Sequence, residues 1–337
     1  MLYVSTRDKT NSFTSYRTLH NDRAPDGGLF VPFRLPAFSA EDIAAMKGGR
    51  FGHTVAKILN LFFSTGISGW DVEFAVGRRP FRTKVMPHRL SICELWHNPN
   101  GEYAYMENAL YSKLSGTTNT CPTEWAKVAI RIAVLFGIYG ESADDDSVPD
   151  IAVTVGDFSV PMAAWYARRM GLPIGTIICT CNENGAVWEL LNRGEMNTGL
   201  SAVHTDYPVL DHPCPHGIER LVFSTLGIQE SLRFADVQQH GGIYAINEEC
   251  LAEVNCGLFA AVVSGRRTRS VISSTYRSNH YIIDGFGAIA FAGLQDYRAS
   301  TGESCNTLLL SDNSPVLSKN RIAKILGISA EDVKKNL

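Results

Sequence analysis

The sequence has little net charge, no long apolar run and no pairing pattern among its cysteines, and each shortage removes a class of function. Its 337 residues carry a formal net charge of -3 with both signs interspersed. A nucleic-acid partner usually shows as a basic patch or stripe, so none is expected. No apolar stretch approaches the ~18 residues that span a bilayer, which argues against a membrane role. Met1 to Arg7 lacks the basic-then-apolar pattern of a secretory leader, giving a cytoplasmic expectation in which thiols stay reduced. The eight cysteines are scattered and read as small hydrophobes.

Catalytic signatures are also scarce. There is no serine nucleophile elbow, no glycine-rich loop ending in Lys-Ser or Lys-Thr, and no paired-histidine zinc helix. Cys179-Thr180-Cys181 is spaced too closely for a usual structural zinc site, and His212-Pro213-Cys214-Pro215-His216 has no evident fourth ligand, so no metal is expected. Asp144-Asp145-Asp146 reads as a solvated acidic loop, because it lacks a calcium-loop pattern.

What is present is alternation. Ser39 with Glu41 and Asp42 signals a helix start, and Gly52 to Phe63 carries Val55, Ile58, Leu59 and Phe62 at helical spacing. Leu90 to Trp96 predicts a strand, Tyr103 to Leu114 a helix, and Glu124 to Tyr139 a strongly apolar helix. Ile151 to Val155 reads as a buried strand. It is followed by a glycine turn, a helix over about 161–170, and a second buried strand over 174–181. That succession implies a right-handed parallel crossover. A helix over Tyr281 to Arg298, a strand over Asn306 to Leu310 and a closing helix near Ser318 to Leu326 complete the series. The fold class is α/β, a mostly parallel sheet with flanking helices.

A glycine turn between a parallel strand and a helix suits an anion, because free backbone N–H groups and the helix dipole point there. Gly156, Asp157, Phe158 and Ser159 form such a turn and are the candidate ligand or phosphate-binding residues, although Asp157 opposes a phosphate by its charge. His97 stands at a strand end, where functional residues gather in parallel sheets.

Nearly the whole chain resembles threonine synthase, a fold-type II pyridoxal-phosphate enzyme with a tryptophan synthase β-like large domain. The resemblance is carried by Tyr3-Val4-Ser5-Thr6-Arg7, Ala24-Pro25-Asp26-Gly27-Gly28-Leu29-Phe30-Val31-Pro32 and the helix from Trp125. Gly156 to Ser159 falls where the family's Gly-Asn-Phe-Gly phosphate loop should be. Downstream segments similar to the family are Gly171-Leu172-Pro173-Ile174, Thr180 to Asn184, Pro215 to Phe223, Asp284 to Tyr297 and Ser314-Pro315. The resemblance implies an N-terminal lobe over 1–95 and a large α/β domain over 96–337.

The departures reshape what the resemblance implies. The family's His-Gly-Pro-Thr leads into Ala-Phe-Lys-Asp, whose lysine forms the Schiff base; here His97-Asn98-Pro99-Asn100 leads into Ala104-Tyr105-Met106-Glu107. Met106 stands at the lysine position, and a thioether neither forms an imine nor carries a proton. If the gap is placed otherwise, Ala104 stands there, with the same result. Lys113 lies about 10 Å of helical rise further on and is not expected to substitute. The small lid domain with its Ser-Gly-Asp-Thr-Gly motif is reduced to a polar junction between about 114 and 124. Asp157 and Ser159 alter the phosphate loop, Asp284-Gly285-Phe286 replaces Asp-Pro-His, and Asp312 replaces the threonine that contacts the pyridine nitrogen.

These differences predict a non-catalytic homologue acting by ligand binding or assembly, with a small-molecule or protein partner and a homodimer as the expected state. No cofactor is expected, with pyridoxal phosphate as the alternative. No catalytic residue is assigned. The alternative function is an enzyme with a rebuilt pocket for an anionic, phosphorylated or amino-acid-like molecule, using His97, Glu107, Asp157 or Asp312 as acid or base.

Overall fold

The computed structural model describes residues 1–118, 121–141 and 147–337. The expected acidic loop at Asp144 to Asp146, and Asn119 and Thr120 of the junction, lie outside the described residues.

Strand Leu2–Ser5 forms the centre of a three-stranded antiparallel sheet between Phe13–Thr14 and Phe30–Pro32. The helices after it start as their polar residues dictate. Ser39 and Asp42 close a capping box on Ala40–Ala44, and Ser68 with Asp71 does the same for Gly69–Val76. Phe51–Phe63 buries Val55, Ile58, Leu59 and Phe62, the residues whose spacing predicted it.

The main sheet has six strands in the order Leu258–Val262, Ile177–Cys181, Asp150–Thr154, Thr307–Ser311, Leu90–Glu94, Arg82–Met86. All neighbours run parallel except the last pair. The two strands over 82–94 precede residue 95 yet belong to this sheet, so the boundary expected there does not separate two sheets.

Alternation divides the strand side chains between two faces. Cys93, Ile151, Val153, Ile177 and Cys179 pack with helices Glu124–Glu141 and Ser159–Arg169. Ile92, Ala152, Ile178 and Leu309 face helices Gly265–Asn279 and Gly285–Thr301. Gly293 lets the latter helix ride close to the sheet, since a Cβ there would meet Thr180 Oγ1 at 1.9 Å. That helix begins at Gly285 and not at Tyr281, because the Asp284 carboxylate accepts the Phe286 and Gly287 amides and caps it. Helix Ala330–Lys335 follows Lys319–Leu326, which was expected to close the chain.

The N-terminal lobe is fastened to the large sheet by buried polar groups as well as by packing. Glu219 accepts hydrogen bonds from Thr6 Oγ1 at 2.5 Å, Arg7 Nε at 3.0 Å and Arg7 Nη2 at 2.9 Å. Arg220 donates through Nε to the Phe30 carbonyl at 3.1 Å. Trp125 is fully buried and meets Tyr3, Phe62 and Tyr166 edge-on. Among the described residues, no helix is long and apolar enough to cross a membrane.

Candidate functional site at the strand C-terminal ends

In open parallel sheets, ligands bind beyond the carboxyl ends of the strands. Three charged groups gather at that end of this sheet.

The first is centred on Arg131. It is buried in the otherwise apolar middle of helix Glu124–Glu141. Its Nη1 donates to Asp312 Oδ1 at 2.8 Å and its Nη2 to Asp312 Oδ2 at 2.7 Å, a bidentate fork. The guanidinium carbon lies 3.2 Å from the centroid of the Tyr103 ring. Tyr103 N–H donates to the Asp312 carbonyl at 2.6 Å, tying the start of helix Tyr103–Ser115 to the end of strand Thr307–Ser311. Asp312, the expected pyridine-side residue, is thus engaged through both its carboxylate and its carbonyl.

Met106 is 1% exposed and belongs to the apolar core. Its neighbour Glu107 is half-buried. Burial pushes its carboxyl up to about 7; Arg131 and Lys127 oppose the rise, while the charges of Asp157 and Asp312 add to it. Lys113 turns away, its Nζ over the Phe74 ring at 5.2 Å.

The second group surrounds the turn into helix Ser159–Arg169. Gly156 has φ +50° and Phe158 φ +71°, left-handed conformations on either side of Asp157. This bend brings Asp157 Oδ1 back to the helix start, where it accepts Ser159 N–H at 2.9 Å and Ser159 Oγ–H at 2.5 Å. Lys127 Nζ lies 3.8 Å from Asp157 Oδ2 and 3.1 Å from Glu124 Oε1. Glu124 Oε2 lies 2.5 Å from His216 Nε2. Burial alone would raise the Glu124 carboxyl, but His216, Lys127 and Arg220 overcome it and hold the group well below the usual carboxylate range. Arg220 is 1% exposed, and its Nη2 has no hydrogen-bond partner. Potential ligand atoms of Glu124, Asp157 and His216 lie within 4.8 Å of one another, a geometry that admits a metal ion, but Lys127 already supplies a cation there.

The third group contains His97. Its Nε2 lies 2.6 Å from Glu94 Oε2, while Tyr281 O–H donates to Glu94 Oε1 at 2.7 Å. The imidazole stacks on Trp96, whose Nε1 donates to Ser311 Oγ at 3.2 Å. Ser311 Oγ in turn donates to Asp284 at 3.3 Å. Burial pushes Asp284 up to about 7, against the Gly287 and Phe286 amides that favour its charged form.

The structure therefore brings Glu107, Asp157 and Asp312 into one electrostatic neighbourhood and puts His97 in a separate pair with Glu94. Sequence reasoning missed Lys127 and Arg131, the cations that answer those carboxylates. A lone arginine inside an apolar helix was the available signal, since buried charges are rarely left unpaired. The partnership of His216 with Glu124 had no local signal at all.

Comparison with known proteins gives a consistent picture. Residues 2–78 match the family model described as the threonine synthase N terminus. The chain is 34% identical over 106 residues to threonine synthase of Methylobacillus glycogenes, covering 31% of this chain and 22% of that enzyme. It is 23% identical over 216 residues to threonine synthase of Schizosaccharomyces pombe, covering 57% of this chain and 42% of that enzyme. It thus spans less than half the length of these curated relatives. A solved structure of pyridoxal-phosphate-bound threonine synthase from Brucella melitensis superimposes with a TM-score of 0.84 at 18% identity, over 97% of this chain and 92% of that one. The N-terminal sequence is thus similar to that of threonine synthases, and the fold is the one their solved structures share.

Proposed function

We propose that this protein is a non-catalytic member of its family, a cytoplasmic scaffold that binds a ligand or a partner without carrying out the lyase chemistry. The observation that carries this reading is the side chain at the family's lysine position, where the resemblance puts Met106, a buried thioether with no proton to shuttle. The residues around it do not fit pyridoxal phosphate. Asp157 already holds the amide and hydroxyl at the helix start that would meet a phosphate. Asp312 is engaged by Arg131, so its carboxylate is not available to a pyridine nitrogen. The short connection between helix Tyr103–Ser115 and helix Glu124–Glu141 supports the loss of a lid there.

An assembly role is supported by the face beside this junction. Trp70 and Phe74 of helix Gly69–Val76 are 63% and 85% exposed, and Lys113, from the last turn before the junction, lies over Phe74. Exposed aromatic surface of this kind is commonly covered by self-association, and a homodimer is the proposed state.

A second reading is favoured by one observation. A carboxyl held near 7, as Glu107 is, suits proton transfer at neutral pH, which would fit a rebuilt enzyme pocket. An absorbance scan with added pyridoxal phosphate, followed by borohydride, tests the leading reading. The expected outcome is no reducible visible band; a band fixed by borohydride would show that another lysine serves and would overturn it.

A further inference from the structure

We propose that Asp157 is a built-in anion that occupies the cradle at the start of helix Ser159–Arg169 and makes this site selective against phosphate-bearing ligands. The inference rests on the reading of the site as a reshaped cofactor pocket, and it goes further by assigning the exclusion of phosphate to one side chain.

The cradle itself is intact. An eleven-residue helix presents its N-terminus there, and Lys127, His216 and the buried Arg220 converge on the same region. Arg220 is the telling member. A fully buried guanidinium with an unpartnered Nη2, close enough to feel the charges of Glu124 and Asp157, is a donor arrangement that favours an anion.

Asp157 takes the place of that anion. Its Oδ1 receives both the Ser159 amide and the Ser159 hydroxyl, the donors a phosphate oxygen would use at a helix N-terminus. The backbone is shaped for this contact. Phe158 is held in the left-handed region, disfavoured for a bulky residue, and its ring is anchored in the core at 1% exposure. Gly217 N–H donates to the Asp157 carbonyl at 3.3 Å and fixes the turn from the other side. A phosphate arriving here would meet an occupied helix end and a fixed negative charge. Glu124, kept ionised by His216 and Lys127, adds a second one.

The test compares the wild type with Asp157→Asn and Asp157→Gly, using inorganic phosphate as the probe in calorimetric titrations at matched ionic strength. Asn keeps an oxygen for Ser159 and removes the charge, so it guards against misfolding; Gly removes the occupant. Thermal melts establish that each variant folds cooperatively. The expected result is no saturable phosphate binding by the wild type. Both variants should gain it, with affinity at least ~tenfold above any residual wild-type binding, and Lys127→Ala in the Asp157→Asn background should abolish the gain. Wild-type binding as tight as that of the variants would overturn the proposal, as would folded variants that gain nothing. Stabilisation of the wild type by Mn²⁺ that disappears in Asp157→Asn would make Asp157 a metal ligand, and that too would overturn it. A borohydride-reducible band in the wild type would sink the underlying reading instead, so the two failures are distinguishable.

Discussion

The N-terminal lobe and the strand-end site are built from the same chemistry and put to opposite uses. In the lobe, buried polar groups join segments far apart in sequence: Glu219 gathers Thr6 and Arg7, and Arg220 holds the Phe30 carbonyl. Thr6, Arg7 and Phe30 lie within residues 2–78, where the family model matches. At the strand ends, partly buried charges pair within the pocket. Arg131 closes on Asp312, Lys127 bridges toward Asp157, and Asp157 folds onto its own helix. The comparison teaches that lobe and pocket meet at one residue, Arg220, which holds the Phe30 carbonyl through Nε and leaves Nη2 without a partner.

The strongest blow to the fold should fall on the lobe interface. Trp125 starts the central helix and packs edge-on against Tyr3, Phe62 and Tyr166, bridging the two parts of the molecule. Trp125→Ala is expected to cost about 3–5 kcal/mol in urea unfolding, the range for emptying a large buried aromatic site. A cost near zero would mean that lobe and sheet are held together elsewhere, and the comparison would lose its basis.

The elements of this division were legible in the sequence because periodicity and turn chemistry are local. The Phe51–Phe63 helix, the parallel strands and the capped helix at Ser39 all follow from residues a few positions apart. The start of the Gly285–Thr301 helix was misplaced to Tyr281 because Asp284 as a cap competes with an apolar run that looks helical throughout. The site was legible only in part. Asp157 and Asp312 stood out as departures from the resemblance and Glu107 as a candidate acid or base, but their charge partners did not. Arg131 meets Asp312 across 181 positions of sequence, and His216 meets Glu124 across 92. No spacing rule reports such a pair, and only the sheet topology brings the members together.

The carboxyl groups at the strand ends give stability a pH dependence of definite sign. Glu107 and Asp284 are both raised to about 7 by burial, so between roughly pH 4 and 7 the folded state holds protons that the unfolded chain has released. Stability should fall as pH rises through that window and level off above it. Glu124, held below its ordinary value, acts oppositely: its contribution is present above about pH 4 and is lost on further acidification. The two trends give an optimum in mildly acidic solution. Glu107→Gln should shallow the decline between pH 5 and 8 and raise stability at pH 8 by about 2 kcal/mol. Urea titrations across the range would measure it; unchanged pH dependence would remove Glu107 from the set of protonated groups.

The smallest effect on the fold should come from the exposed aromatic face of helix Gly69–Val76. Phe74 is 85% exposed and touches Lys113 through its ring, so Phe74→Asp takes little from the folded monomer, about 0.5 kcal/mol or less by chemical denaturation. Its consequence should lie in association. If the face pairs two copies of the chain, the substitution puts an unpaired carboxylate into an apolar interface, and sedimentation should shift from dimer to monomer. Trp70, one helical turn away on the same face, gives an independent check: Trp70→Ala should weaken association in the same direction without a new charge. A dimer that survives both substitutions would place the interface elsewhere. A wild type that is monomeric throughout would leave this face to a different protein and confine the surviving role of the scaffold to binding at the strand ends.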